Sequence, residues 1–247
     1  MTTLNDRCDD HIAIAQDGHT RVAVREIGET CYRALYSAGV SSGEAHHAAG
    51  VITAMEIHEG TGICAAVAQL SRPSGRRIPF RRTLTDTEIV LDDPIRRASL
   101  LIGPVAVDLA IADDRRVVIA APLDHDVLRW CALEAAVTAG ETVWLASHPA
   151  DGSADRVSVA TPEGDLYQVG ELPRQSRPKA FDHAGDATCV LTAPLTTAPS
   201  NRVHTRLALD RRFRDALDHG VHVDATHWAH IRALGSRYLV PESTHES

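Results

Sequence analysis

The sequence predicts an α/β or α+β protein in which helical N- and C-terminal segments pack around a mixed-sheet middle. Helical periodicity marks the segment from Arg25 to Glu59, strand-like runs fill the middle, and helical periodicity returns from Leu207 onward. With 247 residues, 44% hydrophobic and 23% charged, the chain is large enough to bury a substantial core. The expected layout is a flexible tail over 1–20, a single domain over 21–240, and a second tail over 241–247. Within the domain, 21–70 reads as a helical hairpin, 83–195 as a mixed β/α core, and 205–240 as C-terminal helices.

The first helix runs from about Arg25 to Ala38, with Ile27, Cys31, Leu35 and Ala38 on one face and Gly39 as its stop. Ser41 and Glu44 form an S-x-x-E capping box that opens the second. That helix carries Ala45, Ala48, Ile52, Met55 and Glu59 on one side, and Gly60 and Gly62 end it. The short join makes an antiparallel hairpin. Ser71–Arg82 is a turn-rich basic linker, either a solvated connector or a phosphate contact. Strands are expected at Thr87–Leu91, Arg116–Ala121 and Glu141–Ser147, with a helix over Asp124–Thr138 between the last two. That order suggests a β-α-β unit with a right-handed crossover. Shorter strands follow at RVSVA, DLYQV and ATCVLTA, and Glu171–Ala187 reads as a loop. Leu207–Asp218 and Ala225–Tyr238 close the chain as helices, the second capped by Asp224 and burying Trp228, Ile231 and Leu234.

Composition excludes several classes. A formal net charge of −8 gives no whole-chain attraction to nucleic acid or an anionic membrane. The most apolar stretch, Ser99–Ala112, is broken by Pro104 and Asp108, so no membrane span is expected. The 5 cysteines are scattered without a CxxC pair, which argues against a disulfide framework or structural zinc and for a cytoplasmic location. The first residues lack the apolar core of a signal peptide. His219, His222, His227 and His230 cluster in sequence, but Gly220 and Asp224 divide them between two elements, so no metal site is expected.

The opening "VREIGETCYRALYSAGVSSGEAHHAAGVITAMEIHEGTG" and the close "GVHVDATHWAHIRALGSRYLVP" resemble the two ends of the type-2 malate/L-lactate dehydrogenase family. The close is also similar to a related bacterial family of unknown function. The resemblance implies a reduced form of that family's fold and a homodimer with its active site near subunit contacts. It also implies reduction of a 2-oxo or cyclic 2-imino acid with NAD(P)H. The family's Ser-His pair, a proton relay and donor, falls on Thr61-Gly62 or, shifted by one, on Gly60-Thr61. Thr61 replaces the Ser, but no imidazole stands beside it; His58 lies one helical turn earlier. "VWLASHPADG" resembles the family's strand followed by a Ser/Asn segment and a His, which makes His148 the matching position. The family's Gly- and Asn-Pro-rich cofactor segments have no counterpart, and no G-x-G-x-x-G follows a strand, so the cofactor is left unknown.

The residues themselves suggest two polar clusters. In "MEIHEGTGICAA", His58 and Glu59 are either an acid/base pair or a helix end with a solvent-facing imidazole. Glu56 shares a face with Ala45, Ala49 and Ile52, where a carboxylate must be paired or lie at an edge. Cys64 reads as a small buried hydrophobe rather than a nucleophile, since no basic partner stands beside it. His148 follows a buried strand, where ligand-binding residues concentrate. Lys179, Asp182 and His183 lie in "RPKAFDHAGD", either a plain surface loop or one that closes over a carboxylate. Asp124-His125-Asp126 reads as a helix cap. The expected catalytic set is therefore His58, Glu59, Thr61 and His148, with Glu56, Lys179, Asp182 and His183 binding substrate. The expected activity is that of a small-molecule enzyme acting on a carboxylate-bearing oxo or imino acid or amino-acid derivative. The alternative is a non-catalytic dimeric binding or accessory protein.

Overall fold

A computed structural model describes residues 18–70, 81–92, 99–121, 123–149, 154–172, 187–195, 199 and 201–238. The chain starts with β1 (His19–Val22), α1 (Val24–Ser37), α2 (Ser42–Glu59) and α3 (Gly62–Leu70). It continues through β2 (Arg81–Leu84), β3 (Glu88–Asp92), α4 (Ser99–Asp113), β4 (Arg116–Ile119), α5 (His125–Ala139) and β5 (Val143–His148). Next come β6 (Arg156–Ala160), β7 (Leu166–Val169), β8 (Ala187–Thr192) and β9 (Arg202–His204). The last elements are α6 (Arg206–His219), β10 (Val221–Asp224) and α7 (Ala225–Gly235), to which Ser236–Tyr238 adds a 3-10 turn.

Local chemistry sets the helix ends. The capping box is present: the Glu44 amide donates to Ser41 Oγ and the Ser41 amide to Glu44 Oε2. Asp124, Thr205 and Asp224 cap α5, α6 and α7 with their side chains. The two glycines expected to stop α2 do different work. Gly60 is its left-handed cap at φ 68. Gly62 already begins α3, so the chain turns a corner rather than entering a linker. A Cβ at Gly62 would meet the Ile52 carbonyl oxygen at 2.0 Å, and only glycine lets the two helices approach this closely.

Among the described residues one eight-stranded sheet has the order β2-β3-β4-β8-β5-β6-β7-β9. The β4–α5–β5 unit is present, but its strands are not neighbours. β8 lies antiparallel between them, pairing Cys189 with Val118 on one side and with Ala146 on the other. The adjacent parallel pair is β3–β4, joined through α4. Ser99–Ala112, remarkable in the sequence only for being apolar and interrupted, is this helix; Pro104 sits inside it. Among the described residues no helix is long and apolar enough to cross a membrane.

The main core joins α1, α2, α4, α5 and α7 to the sheet face bearing Ile89, Ile119, Leu145 and Val190. The opposite face carries its own cluster of Val118, Trp144, Val159, Tyr167 and Cys189. The ends of the chain meet: α1 packs on α7, and β1 pairs antiparallel with β10, His19 opposite Asp224. His19 and Thr20, expected in the flexible tail, therefore belong to a strand.

Candidate functional site

The C-terminal ends of β4 and β5 and the first residues of β6 and β8 surround a cavity of about 250 Å³ at the start of α5. Successive residues of a strand face opposite sides of the sheet. Ser147 lies level with Arg156 and Thr188 on the face covered by α5, while His148 turns to the other face. The cavity opens at the strand's end, so both residues line it. His148 Nδ1 lies 2.6 Å from Asp155 Oδ1, at the entrance to β6. His125, 4% exposed, reaches down from α5: its Nδ1 is 2.8 Å from Ser147 Oγ and its Nε2 is 2.8 Å from Ser158 Oγ. Burial, with help from Arg156, pushes the His125 imidazole down to about 4, against the pull of Asp126. It is neutral at physiological pH. Arg156 Nη2 donates to Asp126 Oδ1 at 2.7 Å, and Arg129 lies 3.6 Å from the same oxygen.

The second expected cluster, at the end of α2, is built differently. His58 stacks on Trp130 with ring centroids 5.1 Å apart and planes 9° apart. It lines an apolar cleft of about 350 Å³ with Val51, Ala54, Leu133 and Phe213. Burial, reinforced by His204 and Arg212, pushes its imidazole down to about 4. Glu59 Oε1 accepts from Arg129 Nη2 at 2.5 Å and from His204 Nε2 at 3.0 Å. Burial alone would raise this carboxyl; His204, Trp130 and Arg129 outweigh it and hold it at about 2. Arg212 donates to the His58 carbonyl at 2.8 Å and ties α6 to the same helix end.

Glu56 is 4% exposed and accepts the Ile63 amide at 2.8 Å, and the Gly62 amide also turns to it. Burial raises its pKa and these two amides oppose the rise. Its carboxylate thus closes the α2–α3 corner. Thr61 is exposed, and its carbonyl accepts the Ala65 amide at the start of α3. Lys179, Asp182 and His183 lie outside the described residues. Among the described residues no three His, Cys, Asp or Glu side chains gather as metal ligands.

The structure therefore separates His58 and His148 into different cavities. A row of polar contacts connects the two neighbourhoods, from His204 through Glu59, Arg129 and Asp126 to Arg156. Sequence reasoning missed His125, Ser147, Asp155, Arg156 and His204 as site residues. Only Ser147 had a local signal, as a polar residue closing a buried strand beside His148. The others reach their partners through strand register and long-range packing.

No protein-family model matches the sequence, and no curated protein matches it. Solved structures do. Malate dehydrogenase from Pyrococcus horikoshii OT3 superposes with a TM-score of 0.63 at 10% identity, over 91% of this chain and 97% of that one. Sulfolactate dehydrogenase from Methanocaldococcus jannaschii gives 0.62 at 9% identity, over 88% and 97%. The delta1-piperideine-2-carboxylate reductase from Pseudomonas syringae pvar. tomato gives 0.51 at 10% identity, over 87% and 99%. At such identities the likeness is one of architecture, and the chain carries the malate/lactate dehydrogenase-like fold.

Proposed function

We propose that the chain is a small-molecule enzyme that performs acid/base chemistry on a carboxylate-bearing 2-oxo or imino acid in the cavity at the end of β5. The observation that carries this reading is the His148–Asp155 pair, 2.6 Å apart at the rim of a cavity that Arg156 also lines. A carboxylate that accepts from Nδ1 fixes the imidazole tautomer and leaves the lone pair on Nε2. Nε2 takes a proton from the carbon next to the carbonyl, the electron pair moves onto the carbonyl oxygen, and the proton returns to carbon or oxygen. Arg156 presents a guanidinium to the substrate carboxylate while Asp126 holds its other edge.

The described residues do not fit a nicotinamide dinucleotide in this cavity. Its volume of about 250 Å³ suits a small acid. The first amides of α5, which would receive a pyrophosphate, already donate to Asp124 Oδ1, at 2.9 Å from Asp126 and 3.4 Å from Val127. Tautomerisation or isomerisation therefore follows more directly from these residues than hydride transfer.

The second reading, a non-catalytic dimeric binding protein, is favoured by exposed Leu207, Phe213 and Leu217 on α6, which offer an apolar face to a second copy. Exchange of the pyruvate methyl protons in D2O, followed by NMR, decides between the two. Wild-type protein should accelerate exchange, and His148→Ala should lower the rate at least about 100-fold. Absence of exchange with pyruvate and with larger 2-oxo acids would leave the binding reading.

A further inference from the structure

His125 is held between two serine hydroxyls, and only one of them borders the cavity. Ser158 is 5% exposed, and among the described residues its hydroxyl meets only His125. Ser147 is half-buried and lines the cavity beside His148. Arg156, Asp126 and Arg129 are the charged groups that act on this imidazole, which stays neutral. A neutral imidazole has one N–H and one lone pair, so the two serines must play opposite parts.

Two arrangements are possible. If Nε2 carries the proton, it donates to Ser158 Oγ, and the Ser158 hydroxyl hydrogen is left in the core without an acceptor. A buried donor without a partner forfeits its full desolvation cost. If Nδ1 carries the proton, Ser158 donates to Nε2 and Nδ1–H donates to Ser147 Oγ. Every buried proton then has an acceptor. The Ser147 oxygen is occupied by Nδ1–H on the side of α5, and its own hydrogen turns into the cavity.

We propose that Ser147 is a fixed donor hydroxyl for a ligand oxygen, held in that state by the buried row Ser158–His125–Ser147. The proposal rests on reading this cavity as the active site. Ser147 is then a catalytic residue that touches the carbonyl oxygen and stabilises the charge arriving there when His148 removes a proton from carbon. His125 and Ser158 are positioning residues that act through it. A carbonyl or enolate oxygen, as an acceptor, matches a fixed donor. A protonated imine presents N–H instead and mismatches it, so the row favours oxo acids over cyclic imino acids.

The tautomer of His125 tests this without any ligand, by long-range ¹H–¹⁵N correlation on the full chain labelled with [¹⁵N]histidine. Wild-type protein should show His125 protonated on Nδ1, and Ser158→Ala should keep the proton there, because an Nε2–H would then be a buried donor without an acceptor, while the Nε2 resonance moves downfield as it loses the Ser158 hydroxyl. Protonation on Nε2 in wild type overturns the proposal, as does an Nε2 resonance that does not move in Ser158→Ala. In the pyruvate exchange assay, Ser147→Ala should lower the maximal rate about 100-fold with little change in KM. An unchanged maximal rate also overturns the proposal. Failure of wild type to catalyse exchange counts against the active-site reading alone, because the tautomer result stands apart from it.

Discussion

Glu59 carries a negative charge at the C-terminal end of α2, where the backbone already presents carbonyl oxygens. Arg129 and His204 reverse that penalty at the carboxylate, and Arg212 does so at the neighbouring carbonyl. His58, one residue earlier, stays neutral against Trp130. These two groups set different pH windows. The His58 imidazole falls from 6.5 to about 4 on folding, so the unfolded chain binds its proton first. The stability from keeping it neutral is complete above about pH 6.5 and is lost as the pH falls toward 4. His125 adds to the same window. Glu59, lowered from 4.5 to about 2, keeps its contribution above about pH 4.5 and loses it below. His58→Phe preserves the stack on Trp130 and removes one titrating group. Urea midpoints at pH 7 and pH 5 should therefore converge in this variant relative to wild type; an equal drop in both proteins would refute this assignment. The sequence displayed His58 and Glu59 plainly. Their partners stand at 129, 130 and 204, and only tertiary packing brings these to α2.

At the scale of elements, the α2–α3 corner depends on two glycines and one buried carboxylate. Gly60 takes a left-handed backbone, while Gly62 sits against the backbone of α2 with no room for a side chain. Gly62→Ala should cost about 3 kcal/mol, the upper end for overpacking, by forcing the helices apart. Gly43→Ala, in an open helical position, should gain up to about 1 kcal/mol of helix propensity. Denaturant unfolding compares the two, and equal effects would contradict the close approach. The glycines were legible as a helix end, but a clash across two helices was not. Periodicity and caps placed α1, α2, α5 and α6 within a few residues, and β3 to β8 were visible as apolar runs. The short strands β1, β2, β9 and β10 were not, because their 3 or 4 residues hold too few apolar side chains to stand out, unlike the equally short β4 and β7. Pro104 hid α4, since interior proline ordinarily argues against helix.

At the scale of the molecule, β8 inserts between β4 and β5, a pairing no local pattern announces. That insertion puts Thr188 level with Ser147 and lets the start of β8 help wall the cavity. The resemblance of the two ends to the dehydrogenase family agreed with the architecture, yet the family's Ser-His position became a helix corner. The hydroxyl, imidazole and carboxylate instead converge at the end of β5, from α5, β5 and the entrance to β6. The central claim is that ligand enters there and not at His58. A titration of [¹⁵N]histidine-labelled protein with pyruvate tests it most directly. The account predicts saturable shifts of the His148 ring nitrogens while those of His58 stay still. Shifts at His58 with His148 unmoved, or at neither, would contradict it.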